Sequence, residues 1–75
     1  MKVIVTEKEK VKDIEFPCLM KYDDVIILAT EINGTEIKGT VVSKCVHGIG
    51  YYATDWYAPS FKPFNGTITL QNDQP

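Results

Sequence analysis

The sequence contains no arginine and only two cysteines, Cys18 and Cys45. Arginine is the side chain that most often makes bidentate contacts with phosphates and guanine bases, so its absence disfavours a nucleic-acid-binding surface. Two cysteines permit one disulfide at most, whereas small secreted domains usually carry more. We therefore expect a reduced protein of the cytoplasm.

Long apolar runs are also missing from this sequence. No stretch approaches the roughly 18 apolar residues that indicate a transmembrane helix. Near the start, the apolar residues 3–5 are followed at once by the charged stretch 7–10, so no signal-peptide core is recognised. We expect a cytoplasmic protein with no membrane partner.

The chain has 75 residues, of which 44% are hydrophobic and 24% charged, with a formal net charge of −2. This balance is typical of a globular protein and excludes a disordered or strongly basic one. We expect a single β domain over residues 1–70 and a polar tail, 71–75, that frays. A chain this short buries little surface, and self-association as a homodimer is the expected compensation.

Five or six short β-strands are predicted at about 10-residue spacing, separated by glycine, proline and Asp or Asn turns. Residues 25–32 begin with a continuous apolar run, which is typical of a central strand covered on both faces. Residues 7–12 are predicted to form a solvated turn or one helical turn. Residues 55–60 are predicted to form one helical turn, capped by Thr54 or Asp55. The other predicted strands are 2–6, 14–22, 35–44, 51–54 and 67–70.

The Asn-Gly pair at 33–34 is typical of a type I′ turn and predicts a hairpin between residues 25–32 and 35–44. The two-residue loop would place Leu28 opposite Gly39, with one face of the hairpin apolar. The same register places Glu31 opposite Glu36, a like-charge pair that costs a few tenths of a kcal/mol, roughly. A longer loop therefore stays open as an alternative.

Aromatic residues are concentrated between positions 51 and 64. Tyrosine and tryptophan supply rigid, amphipathic contact area and dominate binding hot spots, so this segment predicts a recognition surface. Alternation along a strand must place one of Tyr51 and Tyr52 outward, and that residue is the strongest candidate contact. Another interpretation is that Trp56, Phe61 and Phe64 fill the core. The candidate binding residues are Tyr51, Tyr52, Trp56 and Tyr57.

The residue types that carry catalysis do not cluster in this sequence. Cys45 and His47 are two positions apart, so on a strand they would face one side, as a metal site or a thiol nucleophile with its base requires. Only Cys18 and a carboxylate are left to complete four ligands, and no CxxC motif occurs. We expect Cys18 in the core, His47 in a surface loop, and a Cys18–Cys45 disulfide only if their strands adjoin. The sequence predicts no enzyme, no metal and no cofactor.

Nucleic-acid binding is the alternative function. In that case the aromatic rings would stack on bases and four lysines would contact phosphates. The net negative charge makes this partner the less favoured one. The candidate lysines are Lys21, Lys38, Lys44 and Lys62.

Several segments together resemble small uncharacterised proteins encoded in phages and prophages of Gram-negative bacteria. They are FPCLMK at 16–21, GTVV at 39–42, Gly50, Trp56 and FKPFNGTITL at 61–70. The resemblance spans most of the chain, from Phe16 to Leu70. It implies a bacterial cytosolic setting and a phage accessory role, and it supplies no activity, cofactor or site residue.

The glycine turn, the helical turn near Pro59 and the final short strand resemble SH3-like barrels, at the level of the fold alone. We expect an all-β domain, either a small SH3-like barrel or a strongly bent antiparallel sheet of five or six strands. The predicted function is a non-enzymatic protein-binding module whose partner is a host or phage protein.

Overall fold

The computed structural model describes residues 1–7 and 15–73. Within this part, the chain forms seven β-strands and one 3₁₀ turn, which confirms the all-β class and exceeds the five or six strands expected. The expected turn at 7–12 lies outside the described residues, apart from Glu7, which ends the first strand. The elements are β1 (Lys2–Glu7), β2 (Cys18–Tyr22), β3 (Val25–Asn33), β4 (Glu36–Val41), β5 (Tyr52–Tyr57), the 3₁₀ turn (Ala58–Ser60), β6 (Lys62–Pro63) and β7 (Gly66–Gln71).

The strands form two antiparallel sheets. The larger has five strands in the order β5-β4-β3-β2-β6, and the smaller consists of β1 paired with β7, which we call the β1–β7 ribbon. Strand β3 is central, as its apolar run predicted. The additional strand is β6, a two-residue segment that pairs with β2 at the edge of the larger sheet.

The two aspartates at 23–24 form the expected tight turn between β2 and β3. Tyr22 lies opposite Val25, so the two strands are joined by two residues. Asp23 takes φ 56° there. Aspartate tolerates this left-handed conformation better than most side chains, which explains its place in the turn.

The predicted hairpin between β3 and β4 forms, but with a different turn. Asn33 lies opposite Glu36, so Gly34 and Thr35 occupy the two loop positions. Gly34 has a positive φ of 65°, whereas φ at Thr35 is not positive. This sign pattern belongs to a type II′ turn, which needs glycine at its first central position only.

The predicted register of the hairpin is therefore wrong, and the observed one replaces a repulsive pair by an ion pair. Glu31 lies opposite Lys38, with the carboxylate 3.0 Å from Lys38 Nζ. The hydrogen bond and the charge of Glu31 raise the pKa of Lys38. A bulge between Ala29 and Glu31 then absorbs one residue, so that Ala29 rather than Thr30 lies opposite Gly39. Leu28, the predicted partner of Gly39, lies opposite Thr40.

The hydrophobic core lies against one face of the five-stranded sheet. Cross-strand partners such as Ile27 and Val41 are fully buried on this face. The expectation that β3 is covered on both faces holds for its first residues only: Ile26 is 3% exposed, but Leu28 is 40% exposed. The core cluster consists of Met20, Val25, Ile27, Ala29, Ile37, Val41 and Phe61, with Phe16, Cys18, Cys45, Trp56 and Ala58 packed against it.

The single helical turn lies at Ala58–Ser60, inside the predicted window. Its predicted cap is wrong, because residues 54–57 continue β5 and Tyr57 occupies the N-cap position without a side-chain hydrogen bond. The pairing of Trp56 with Ile37 in the adjacent strand keeps this segment extended. Tertiary pairing thus overrides the local capping signal.

Two expectations concern the cysteines and the tail. Cys18 and Cys45 are both free and half-buried, so the disulfide that the sequence left open is not formed. At the other end, Gln71 still pairs with Lys2 in the β1–β7 ribbon. Asp73 accepts a 2.8 Å hydrogen bond from the amino group of Met1. Residues 74 and 75 of the expected frayed tail lie outside the described residues.

Candidate functional site

A cleft of about 240 Å³ opens beside the 3₁₀ turn, where the end of β2, the start of β3, the end of β5 and the loop at 42–51 meet. We call it the aromatic cleft. Among the described residues that line it, none carries a carboxylate or an amino group. Its lining residues are Tyr22, Val25, His47, Trp56, Tyr57, Ser60 and Phe61.

Three rings of the aromatic cleft form a continuous series from β2 to β5. The Tyr22 and Phe61 ring centroids are 5.8 Å apart at an interplanar angle of 51°. Phe61 and Trp56 are 5.9 Å apart at 73°, an edge-to-face contact. Aromatic pairs favour such tilted arrangements over face-to-face contact. Phe61 is 8% exposed and packs in the core, so it forms the floor of the cleft.

His47 and Tyr51 extend this series beyond Trp56. The two rings stack at 5.3 Å with an interplanar angle of 12°. Both are nearly perpendicular to the indole, at 85°, with centroid distances of 5.3 Å for His47 and 5.9 Å for Tyr51. Each ring of this group thus fixes the orientation of the other two.

The backbone places Trp56 in the aromatic cleft. The pairing of β4 with β5 is irregular between Ile37 and Gly39, where Ala53 and Trp56 are three residues apart on β5. At this irregularity, Trp56 Nε1 donates a hydrogen bond to the carbonyl oxygen of Gly39, 3.0 Å away. The half-buried indole therefore has its single polar atom satisfied while its ring contacts His47, Tyr51 and Phe61.

The loop at 42–51 places His47 and Tyr51. It closes on Val41, whose N–H donates to the Tyr51 carbonyl and whose carbonyl accepts from the Gly50 N–H, both at 2.8 Å. Gly48 and Gly50 have φ 73° and 95°, which favours glycine at both positions. The loop therefore returns to the sheet beside Trp56.

Ser43 anchors the start of this loop. The serine is 4% exposed, and its hydroxyl joins two backbone groups of the neighbouring β2–β3 connection. Its Oγ accepts a 2.8 Å hydrogen bond from the Ile26 N–H and donates one of 2.9 Å to the Asp24 carbonyl. The turn that carries Tyr22 and the loop that carries His47 are thereby tied together.

The structure brings together three of the four candidate binding residues. Trp56 and Tyr57 line the aromatic cleft, and Tyr51 contacts it through Trp56. Tyr57 is 60% exposed and Tyr51 is 50% exposed, so both rings present contact area to a partner. Tyr52 is excluded from the cleft, because it pairs with Thr40 on the opposite face of the sheet from the core.

Sequence reasoning missed Tyr22 and His47 as members of the site. A signal for Tyr22 existed, since Phe16, Cys18, Met20 and Tyr22 occupy every second position and share one face of an extended strand. Tyr22 is 52% exposed and contacts Phe61. No local signal marked His47, whose position depends on how the loop folds back.

The four candidate lysines lie away from the aromatic cleft. Lys21 and Lys62 are cross-strand partners at the edge of the larger sheet, and Lys21 Nζ lies 6.0 Å from the centroid of the Phe64 ring. Lys38 is engaged with Glu31. Stacking rings and lysine amino groups thus occupy separate surfaces.

Lys44 belongs to a second pocket of about 370 Å³ below the β1–β7 ribbon. Lys21 also lines it, together with Asp23 and Asp24. Because lysines and aspartates line the same pocket, their charges offset one another, and the pocket has no electrostatic field of a single sign. The remaining lining residues are Val3, Val5, Ile26 and Ser43.

The cysteines and the histidine show no metal-binding arrangement in the described part of the chain, where no three His, Cys, Asp or Glu side chains are grouped to hold an ion. His47 instead stacks on Tyr51. Burial raises the pKa of the Cys18 thiol, which favours its protonated, less nucleophilic form.

Comparisons of the chain with protein-family models, with curated proteins and with solved structures found no match. Among the described residues, no helix is both long and apolar enough to cross a membrane. The candidate site therefore has to be interpreted from its own geometry.

Proposed function

We propose that this protein is a non-enzymatic protein-binding module and that the aromatic cleft receives a segment of its partner. The observation that carries this proposal is the continuous set of rings from Tyr22 to Tyr51, with Phe61 as a buried floor and Tyr57 as an exposed wall. Tyrosine and tryptophan at the centre of a well-packed depression are the residues that contribute most to protein binding.

The size of the aromatic cleft favours side chains of a protein segment over a separate small molecule. Small-molecule sites usually enclose roughly 300–1,000 Å³. At about 240 Å³, the cleft holds one or two inserted side chains. Its aromatic lining, which among the described residues has no carboxylate or amino group, suits an extended segment with apolar or proline side chains, which docks in aromatic-lined grooves.

The cellular role, the kind of partner and the architectural class are part of the same proposal. The resemblance of residues 16–70 to phage and prophage proteins supports an accessory role in the bacterial cytoplasm, with a host or phage protein as partner. The two antiparallel sheets and the 3₁₀ turn before the last strands support an SH3-like barrel as the architectural class.

A pair of tyrosine variants tests the site. Tyr57→Ala removes a wall of the aromatic cleft, whereas Tyr52→Ala removes an equally exposed tyrosine on the opposite face of the sheet. Immobilised wild-type and variant proteins would be used to capture partners from bacterial and phage-infected lysates, with and without nuclease. We expect a protein that is retained by the wild type and by Tyr52→Ala after nuclease treatment, and lost with Tyr57→Ala.

Other results would contradict the proposal. A partner retained equally by both variants would remove the aromatic cleft from the interface. Recovery that disappears with nuclease and falls steeply with salt would instead favour the nucleic-acid alternative and its lysines.

A further inference from the structure

The β1–β7 ribbon is a two-stranded sheet, and two strands alone are only marginally stable in water. Its register is continuous from the pair Lys2–Gln71 to the pair Glu7–Gly66, without a bulge. Both strands therefore present an uninterrupted outer edge six residues long. In the described part of the chain, no backbone group outside the ribbon hydrogen-bonds to either edge.

One face of the ribbon is apolar. Val3 lies opposite Leu70 and Val5 lies opposite Ile68, whereas the other face carries pairs such as Ile4 with Thr69. Val3 and Val5 line the second pocket, so the apolar face is turned towards the larger sheet. The cover is incomplete, since Val5 remains 45% exposed and Leu70 43% exposed.

The outer edge of β7 lacks the protection that edge strands usually have. Proteins block exposed edges with lysine, proline or bulges. Strand β7 reads Gly-Thr-Ile-Thr-Leu-Gln and contains no charged residue and no proline. Strand β1 carries a lysine at its first position and a glutamate at its last. The edge of β7 is thus the more available of the two edges for pairing with another strand.

We propose that β7 pairs antiparallel with β7 of a second copy of this chain, about a two-fold axis at Thr69. The axis must lie midway between the two copies of one residue, so that this residue faces its own copy. An axis placed between two successive residues would bring side chains from different faces of the sheet opposite each other. With the axis at Thr69, Ile68 lies opposite Leu70 of the second copy, and Thr67 lies opposite its Gln71. Apolar residues then meet apolar residues on one face, and polar residues meet polar residues on the other.

The dimer supplies the additional strands that the two-stranded ribbon lacks. The pairing makes a four-stranded sheet in the order β1-β7-β7-β1, which exceeds the three strands that independent stability requires. It also makes one continuous apolar face from the Val3, Val5, Ile68 and Leu70 of both copies. The aromatic cleft belongs to the larger sheet, so this inference is independent of the proposed function.

A charge swap on the axis tests the pairing. In Thr69→Glu and in Thr69→Lys, two like charges would face each other across the dimer, whereas a mixture of the two variants places opposite charges there. Molar mass would be measured by sedimentation over a concentration series. We expect the wild type at twice the 8.5 kDa of one chain. Each variant alone should dissociate roughly fivefold or more readily, and the mixture should recover the dimer.

Ile4→Glu and Ile4→Lys are the matched controls, because Ile4 is the cross-strand partner of Thr69 and lies on the same face. The charges on the two copies would be separated by two more strands than those at Thr69, so their mixture should show no recovery. Trp56 fluorescence reports separately that the larger sheet is folded. Recovery by mixing distinguishes a lost contact from a misfolded ribbon.

Three results would overturn the proposed dimer. A wild type that stays at the mass of one chain at every concentration removes self-association. Thr69 variants that dimerise like the wild type place the interface elsewhere. Recovery on mixing the Ile4 variants, without recovery on mixing the Thr69 variants, assigns it to the edge of β1.

Discussion

The indole N–H of Trp56 donates a hydrogen bond to the backbone carbonyl of Gly39, 3.0 Å away on the adjacent strand. This bond joins the middle of the five-stranded sheet to the aromatic cleft, because Gly39 lies between Ala29 and Ala53 in the strand pairing. The same indole contacts Phe61 on the core side and His47 on the loop side. Stability and the shape of the candidate site are therefore coupled at one residue.

Replacing Trp56 with phenylalanine tests the energetic part of this relationship. Phe keeps a ring in place but leaves the Gly39 carbonyl without its donor, so we expect the free energy of unfolding to fall by about 1 kcal/mol or more. Urea denaturation followed by circular dichroism would measure it. Tyr57→Phe, at an exposed ring, is the control and should stay within about 0.5 kcal/mol. Equal effects of the two variants would contradict the role of the hydrogen bond.

Gly39 is also required for steric reasons. A Cβ at this position would lie 2.9 Å from the carbonyl oxygen of Leu28 and 3.2 Å from the Cα of Ala29, both backbone atoms of β3. We expect Gly39→Ala to lower the free energy of unfolding by about 1–3 kcal/mol, as overpacking does. Thr40→Ala, the next residue on the opposite face, should cost less than about 1 kcal/mol. An unchanged urea midpoint for Gly39→Ala would contradict the steric requirement for glycine at this position.

Removing the Ser43 hydroxyl should destabilise the connection that supports the aromatic cleft. Ser43→Ala leaves the buried N–H of Ile26 and the carbonyl of Asp24 without this partner. An unsatisfied buried backbone group costs about 1–3 kcal/mol, so a loss of that order is expected in urea denaturation. Ser60→Ala, at a half-buried serine beside the cleft, should stay within about 0.5 kcal/mol. Comparable losses in both variants would contradict a special role for Ser43.

The Cys18 thiol should react slowly. Burial raises its pKa above the ordinary value of 9.0, and the thiolate is the reactive form. In a Cys45→Ser background, we expect alkylation by iodoacetamide to be slower than that of a free thiol at neutral pH and to reach the free rate on unfolding in urea. An equal rate in the folded protein would contradict the assignment of Cys18 to the core edge.

The same pKa shift carries a pH dependence. Above pH 9, the folded chain keeps the Cys18 proton more tightly than the unfolded chain does, so the free energy of unfolding falls as pH rises through the folded pKa. Cys18→Ala, which has no proton to lose at this position, should show a flatter profile over the same range. Parallel profiles for the two proteins would show that another group causes the loss.

Local patterns predicted most strands of the sheet and the existence of the β3–β4 hairpin. The apolar run that begins at Val25 and the alternation after Asn33 depend only on neighbours in sequence, which is why they could be recognised. The register could not, because it depends on which residues of two strands meet. Glu31 lies opposite Lys38 because Gly34 and Thr35 form the loop, and a bulge shifts the pairing by one residue only beyond that pair.

The candidate site was predicted in part for the same reason. Trp56 and Tyr57 stood out because aromatic residues are dense in that segment. Tyr22 lies 29 residues and His47 4 residues before Tyr51 in the chain, and no spacing rule brings the three together. Tyr52 was selected from aromatic density and from strand alternation with Tyr51, and strand pairing with Thr40 places it on the far face.

The sequence by itself determined that this protein is an all-β domain, since strand periodicity and turn residues act over a few positions. It also indicated that any recognition surface would be aromatic. Only the tertiary structure decided which rings share a cleft, which lysines are engaged elsewhere and which edge is left open. Those properties arise from contacts between residues far apart in the chain, where a shift of one residue in register moves a side chain to the other face of a sheet.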